Sequence, residues 1–185
     1  MQAKPLVTAE DLWRMGERDY DFELVAGRLV PMTPAGGRHG AVAARLTVAL
    51  GAHVEAHELG LVYVAETGYV LRRNPDTVRA PDLSFVSRER PAGREVSAGF
   101  IEGPPDLVIE VRSLDDTMAE LTRKAEDYLA AGARLVWVVR PEVRKVHVHR
   151  PGLPVEHLAD DGTLEGYDVV PGFQLPLGRL FAGLC

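Results

Sequence analysis

Two short apolar runs, each opened by proline and each holding an acid, constrain this chain more than any other feature. The first is Ala80-Pro81-Asp82-Leu83-Ser84-Phe85-Val86. The second is Pro104-Pro105-Asp106-Leu107-Val108-Ile109-Glu110-Val111-Arg112-Ser113. Short runs rich in Val, Ile, Leu or Phe and bounded by turn residues read as strands buried on both faces. A carboxylate inside or at the lip of such a strand is costly unless something positive meets it. One acid of this kind is readily a satisfied ion pair. Two on adjacent strands point to a shared positive group, and a divalent cation is the usual one.

Alternation along a strand says which way the acids face. Val108, Glu110 and Arg112 share one side, and Leu107, Ile109 and Val111 the other; in the first run Asp82, Ser84 and Val86 share a side. If the two strands are neighbours, Asp82 and Glu110 converge at one end of the pair. The run 106–111, a helical pattern over 114–131 and the buried run 135–139 form a βαβ crossover, which predicts two parallel strands with a right-handed connection. Hairpins elsewhere add antiparallel strands. The expected fold class is α/β (α+β), a mixed sheet flanked by helices.

The rest of the chain fits that plan. Thr8 caps a short helix through residues 11–15. Phe22-Glu23-Leu24-Val25 and Arg28-Leu29-Val30-Pro31 form a hairpin turned at Ala26-Gly27. Val42, Leu46, Ala49, Leu50 and Val54 recur at helical spacing between His39 and about Leu59, and Gly60 ends that helix. Residues 61–71 read as one strand, and 87–103 as a polar loop over the site. The 114–131 helix carries Leu114, Met118, Leu121, Ala125, Tyr128 and Leu129 on its apolar stripe, with Asp115 and Asp116 near its N-terminus. Lys145 to Arg150 alternates and reads as half exposed, with His147 and His149 on the solvent face.

The chain has 185 residues and no repeat or linker, which suits a single domain. Its one cysteine, Cys185, allows no internal disulfide, so a reducing cytoplasm is the expected location. No apolar run approaches a membrane span, and the first residues lack a signal-peptide core. The net charge of −6 argues against tight nonspecific nucleic-acid binding. Arg72, Arg73, Arg79, Arg88, Arg90 and Arg94 do crowd the first acidic strand; such a rim suits a metal-dependent phosphodiesterase, but taken alone it reads as a solvated loop.

For Asp82 and Glu110 the alternative to a metal is an arginine partner for each, such as Arg112 beside Glu110. Asp106 reads as a strand-end residue. Lys124 flanks the apolar stripe, where snorkelling is the default explanation; its helix follows the Glu110 strand directly, which favours a role at the site. Glu23, inside an apolar run, is a candidate third acid or a structural one. His39, near a helix start, is a cap or a neighbour of the site. The six histidines show no metal-ligand spacing. No Gly-x-Ser-x-Gly, Walker loop or Gly-x-Gly-x-x-Gly occurs, so serine-nucleophile and nucleotide-cofactor chemistry lack support.

Taken together, Phe22-Glu23-Leu24-Val25-Ala26-Gly27-Arg28-Leu29-Val30, His39, Glu66-Thr67-Gly68-Tyr69-Val70-Leu71, Pro81-Asp82, Glu110-Val111-Arg112-Ser113, Lys124-x-x-x-Tyr128, Gly132 and Gly172-Phe173 resemble, in order and spacing, the Uma2 (DUF820) family. Each motif is short; the ordered set is more specific and spans nearly the whole chain. That family belongs to the PD-(D/E)XK nuclease superfamily. The resemblance implies a restriction-endonuclease-like core and a Mg²⁺- or Mn²⁺-dependent endonuclease acting on DNA. Asp82 and Glu110 would be the metal ligands, with the Val111 carbonyl a third. The motif lysine two residues after the second acid is Arg112 here, which can stabilise charge but cannot act as a base. Lys124, on the next helix, matches the place the lysine takes in the family, and would orient or deprotonate water. Arg112 would steady a phosphate oxygen, and Glu23 a water or second ion. Many such nucleases are homodimers. The competing expectation is a nuclease fold that binds without cutting; a two-carboxylate glycosidase is weaker, since nothing suggests a sugar groove.

Overall fold

A computed structural model describes residues 5–15, 22–65, 67–93 and 95–184. Glu66, Arg94 and Cys185, singled out in the sequence, lie outside the described residues. In chain order the elements are α1 (Ala9–Met15), β1 (Phe22–Val25), β2 (Arg28–Pro31), α2 (Gly37–Ala56), β3 (Gly60–Val64), β4 (Tyr69–Arg72), β5 (Thr77–Arg79), β6 (Leu83–Ser87), β7 (Ile101–Glu102) and β8 (Leu107–Val111). Then follow α3 (Met118–Ala131), β9 (Leu135–Arg140), β10 (Lys145–His149), β11 (Glu156–Leu158), β12 (Thr163–Glu165), β13 (Gln174–Pro176) and α4 (Leu177–Leu180).

The main sheet runs β11-β10-β9-β8-β6-β3, and a second sheet runs β2-β1-β5-β4-β7. In the main sheet β8 and β9 are parallel, joined through α3 as the βαβ pattern predicts, and the remaining pairs are antiparallel. The fold is α+β, with mixed sheets flanked by helices.

A long helix packs on each face of the main sheet. Val42, Leu46, Leu50 and Val54 of α2 pack on Leu83, Phe85, Leu107, Ile109, Val111 and Trp137. On the other face Leu121, Ala125 and Tyr128 of α3 pack on Val108, Val136 and Val138. The alternation expected for β8 therefore holds, and Glu110 lies on the α3 side. The second sheet leans on the first through Tyr69, Val86 and Ile101, and the Tyr69 hydroxyl meets Ser84 Oγ at 2.8 Å. β1 and β2 form the expected hairpin, with Ala26 and Gly27 both at positive φ, the backbone of a type I′ turn.

Four local expectations are corrected. The helix expected from residue 114 starts at Met118. Thr117 Oγ1 accepts the Glu120 N–H at 3.2 Å and the Glu120 carboxylate accepts the Thr117 N–H at 3.0 Å, closing a capping box. Leu114 is left in the preceding turn, 89% exposed. The strand expected over 61–71 is two strands, β3 and β4, in different sheets. The described residues of the 87–103 segment leave β6 at the end remote from Asp82, where Arg90 meets Pro104 and Asp106. His149 is buried rather than solvent-facing, because its face of β10 adjoins the α3 layer while Val146 and Val148 fill the larger core.

Candidate active site

β6 and β8 are antiparallel neighbours, with Leu83 opposite Ile109. Asp82, just before β6, and Glu110, near the end of β8, are thus brought to the same end of the pair. Asp82 Oδ2 accepts the Val111 N–H at 2.7 Å, prolonging the ladder by one side-chain bond. The same oxygen stands 3.1 Å from Nε2 of His39, in the first turn of α2. That hydrogen bond, larger than the opposing effect of burial, holds the His39 imidazole above its ordinary pKa.

Glu110 sits in an apolar wall and is 3% exposed. Its Oε1 accepts the Tyr128 hydroxyl at 3.1 Å, and its Oε2 lies 3.5 Å from Nζ of Lys124. Lys124 and Tyr128 are four apart on α3 and so share a side of that helix. Burial is the largest influence on Glu110 and lifts its carboxyl to about 7; Lys124 pulls it down, and the charges of Asp82 and Glu23 push it up.

Glu23 enters from β1 in the second sheet and is 2% exposed. Its Oε1 accepts the Ala80 N–H at 3.2 Å, and its Oε2 accepts from an Arg79 Nη at 2.6 Å and stands 3.6 Å from Lys124 Nζ. Lys124 therefore lies between two buried carboxylates from two sheets. The charge of Glu110 outweighs burial and, with Glu23, keeps the ammonium well above its ordinary pKa. The other Arg79 Nη donates to Asp127 of α3 at 2.6 Å.

With every group ionised, Asp82, Glu23, Glu110 and Asp127 set four negative charges against the two positive ones of Arg79 and Lys124. The surplus is two negative charges, part of which a protonated His39 beside Asp82 offsets. Among the described residues no three His, Cys, Asp or Glu side chains form a group that could hold a metal ion.

Of the residues singled out in the sequence, Glu110, Lys124 and Glu23 are linked through side-chain contacts, and Asp82 with His39 joins them through the Val111 N–H. Arg112 is not part of this set. Its guanidinium meets Glu142 at 2.8 Å and the Asp116 carbonyl at 3.0 Å. Asp106 accepts the Ser87 N–H at 2.9 Å at the far end of the strand pair, a strand-end role. Of the other rim arginines, Arg73 pairs with Glu10, Asp76 and Glu102, Arg88 with Glu58, and Arg90 with Asp106. The sequence reading missed the Arg79–Asp127 bridge, since neither residue carries a local signature. The spacing Lys124-x-x-x-Tyr128 was the available pointer to Tyr128.

A sequence model of Uma2, described as "Putative restriction endonuclease", matches residues 9–178. The chain belongs to the Uma2 family. The matched span holds every residue of the cluster just described, Glu23 through Tyr128. Among solved structures the Uma2 chain resembles the crystal structure of a putative nuclease belonging to DUF820 from Anabaena variabilis ATCC 29413, with a TM-score of 0.83 and 20% identity over 97% of this chain and 99% of that one. At that identity the likeness concerns the fold. No curated protein matches. No helix among the described residues of this Uma2 protein is long and apolar enough to cross a membrane.

Proposed function

We propose that this Uma2 protein is a divalent-metal-dependent endonuclease that hydrolyses phosphodiester bonds in DNA. The observation that carries the reading is Lys124 standing 3.5 Å from Glu110, on the same end of β6 and β8 as Asp82. Family membership supplies the reaction class.

The donors fit Mg²⁺ or Mn²⁺. Both prefer oxygen ligands, and Mg²⁺ commonly keeps several waters beside one or two carboxylates, so two acids suffice. Asp82 and Glu110 would hold the ion. Val111, whose N–H already points at Asp82, would present its carbonyl on that same edge of the strand, because N–H and C=O of an extended residue lie on one side. The bound ion would lower the pKa of a coordinated water and polarise the scissile phosphate.

The chain's own groups have separable tasks. His39 holds the Asp82 carboxylate through Oδ2. Tyr128 fixes the Glu110 carboxylate from its other oxygen. Lys124 is held protonated by its two acids, so it serves as a donor and a positive charge toward a phosphate or an incoming water rather than as a base. Glu23 keeps Lys124 in place from the second sheet. Arg112 braces the end of β8 through Glu142 and is not assigned a reacting role.

The test is nicking and linearisation of supercoiled plasmid by the purified chain in Mg²⁺ or Mn²⁺, beside Asp82→Ala and Glu110→Gln. Cutting by the wild type that EDTA stops and both variants lack supports the reading. A wild type that binds DNA and leaves it intact under all these conditions replaces it with a binding module.

A further inference from the structure

We propose that Arg79, which touches neither Glu110 nor Lys124 within hydrogen-bond distance, is a positioning residue for Lys124, acting through Glu23. This rests on the nuclease reading for its kinetic consequence but not for its structural one.

Arg79 is 5% exposed, at the end of β5, and bridges β1 of its own sheet to α3. One Nη meets Glu23 Oε2 at 2.6 Å, and the other meets Asp127 Oδ2 at 2.6 Å. Its Nε is buried and meets no acceptor among the described residues. Buried charges that are incompletely hydrogen-bonded are poor sources of stability, and apolar replacements of similar volume are often neutral or better. A guanidinium kept there with one donor unpaired needs a reason beyond packing.

Glu23 supplies it. Its Oε2 is shared by the Arg79 Nη at 2.6 Å and Lys124 Nζ at 3.6 Å. The guanidinium holds the short position, and the ammonium is left at the long one. Lys124 is consequently divided almost evenly, 3.6 Å from Glu23 and 3.5 Å from Glu110. Without Arg79 the Glu23 oxygen has a vacant acceptor direction, and Lys124 is the nearest cation to fill it. The ammonium would close on Glu23 and withdraw from Glu110. Asp127, one turn before Ala131 on α3 and three residues after Lys124, fixes the far side of the guanidinium to the helix that carries the lysine. Arg79 thus registers β1 of one sheet against α3 of the other, which is the geometry Lys124 depends on. A lysine at position 79 could not span two carboxylates in this way.

The experiment compares wild type, Arg79→Gln, Glu23→Gln and the double variant, with Asp127→Asn as a milder perturbation at a half-exposed site. Two readouts are used: turnover on plasmid beside DNA affinity in Ca²⁺, and crystal structures of the wild type and Arg79→Gln. Arg79→Gln is expected to lower kcat about 10²-fold while DNA affinity stays within about threefold, the pattern of a lost transition-state contact. Asp127→Asn should fall between it and wild type. The double variant should cut no worse than Glu23→Gln alone, since Arg79 has nothing to act on once Glu23 is neutral. The crystal structure should place Lys124 Nζ closer to residue 23 than to Glu110. Additive losses in the double variant, or an unmoved Lys124 in folded Arg79→Gln, overturn the proposal. If Arg79→Gln does not fold, the Asp127→Asn structure and kinetics decide it in the same way. If the wild type cuts nothing, the nuclease reading fails, while the crystallographic comparison still decides the role of Arg79.

Discussion

Lys124 and Glu110 face each other at 3.5 Å between α3 and β8; the charge of Glu110 helps keep the ammonium protonated, while burial raises the Glu110 carboxyl to about 7. Lys124 is the cation between Glu110 and Glu23, whereas Asp82 meets His39. Lys124 is also linked to the second sheet through Glu23, so both sheets and α3 must be in place before it has its position.

Lys124 and Arg112 should behave oppositely on substitution. Lys124→Ala leaves Glu110 buried without its cation, and plasmid cutting is expected to fall by about 10²–10³, the usual cost of a lost electrostatic donor at a reacting centre. Arg112→Ala removes a partly exposed brace on Glu142, and cutting should stay within about tenfold, since such pairs contribute about 0–1 kcal/mol. Equal losses in the two variants would return Arg112 to the reacting groups.

Glu110 gives a pH dependence with two opposite signs. Its unfolded carboxyl titrates near 4.5 and its folded one near 7. Between these values the folded state holds the extra proton. The contribution of Glu110 to stability is therefore complete below about 4.5 and is lost as pH rises through about 7. Metal loading follows the other direction, because a ligand carboxyl must be ionised. Mn²⁺ affinity by titration calorimetry should rise with pH through about 7, while melting curves show Glu110→Gln relatively more stable on the alkaline side. A wild-type affinity flat from pH 5.5 to 8.5 would contradict this.

α3 carries both Lys124 and Tyr128, and its start is fixed by the Thr117–Glu120 capping box. Thr117→Ala should cost about 1 kcal/mol. In a chain of this size that lowers Tm by about 2–4 °C. Thr117→Ser should retain most of the lost stability, and an unchanged Tm in Thr117→Ala would show the box to be idle.

The parts of the fold that local chemistry dictates were legible in the sequence. The Pro-opened runs around Asp82 and Glu110, the β8–α3–β9 crossover and the Ala26-Gly27 hairpin all follow from periodicity and turn residues. The start of α3 was misplaced because the apolar Leu114 extends the stripe, although the Thr117-x-x-Glu120 signature was present. The break between β3 and β4 was hidden because two adjoining apolar segments read as one strand even when they join different sheets. At the site, the acids announced themselves by being charged inside apolar runs. Arg79 and Asp127 did not, since their pairing depends on how β5 meets α3, a contact between residues 48 apart. The side-chain direction of Arg112 was likewise outside reach: the pleat gave its face, but Glu142, beyond the end of β9, decided its partner.

Melting with and without Mn²⁺ tests most directly whether Asp82 and Glu110 jointly hold a doubly charged ion. At ten times Kd a ligand specific for the folded state adds about 1.4 kcal/mol. For a domain of this size that is a rise in Tm of about 3–6 °C. The account predicts such a rise for the wild type and none for Asp82→Ala or Glu110→Gln. A wild type whose Tm ignores Mn²⁺, or variants that gain as much as it does, would contradict it.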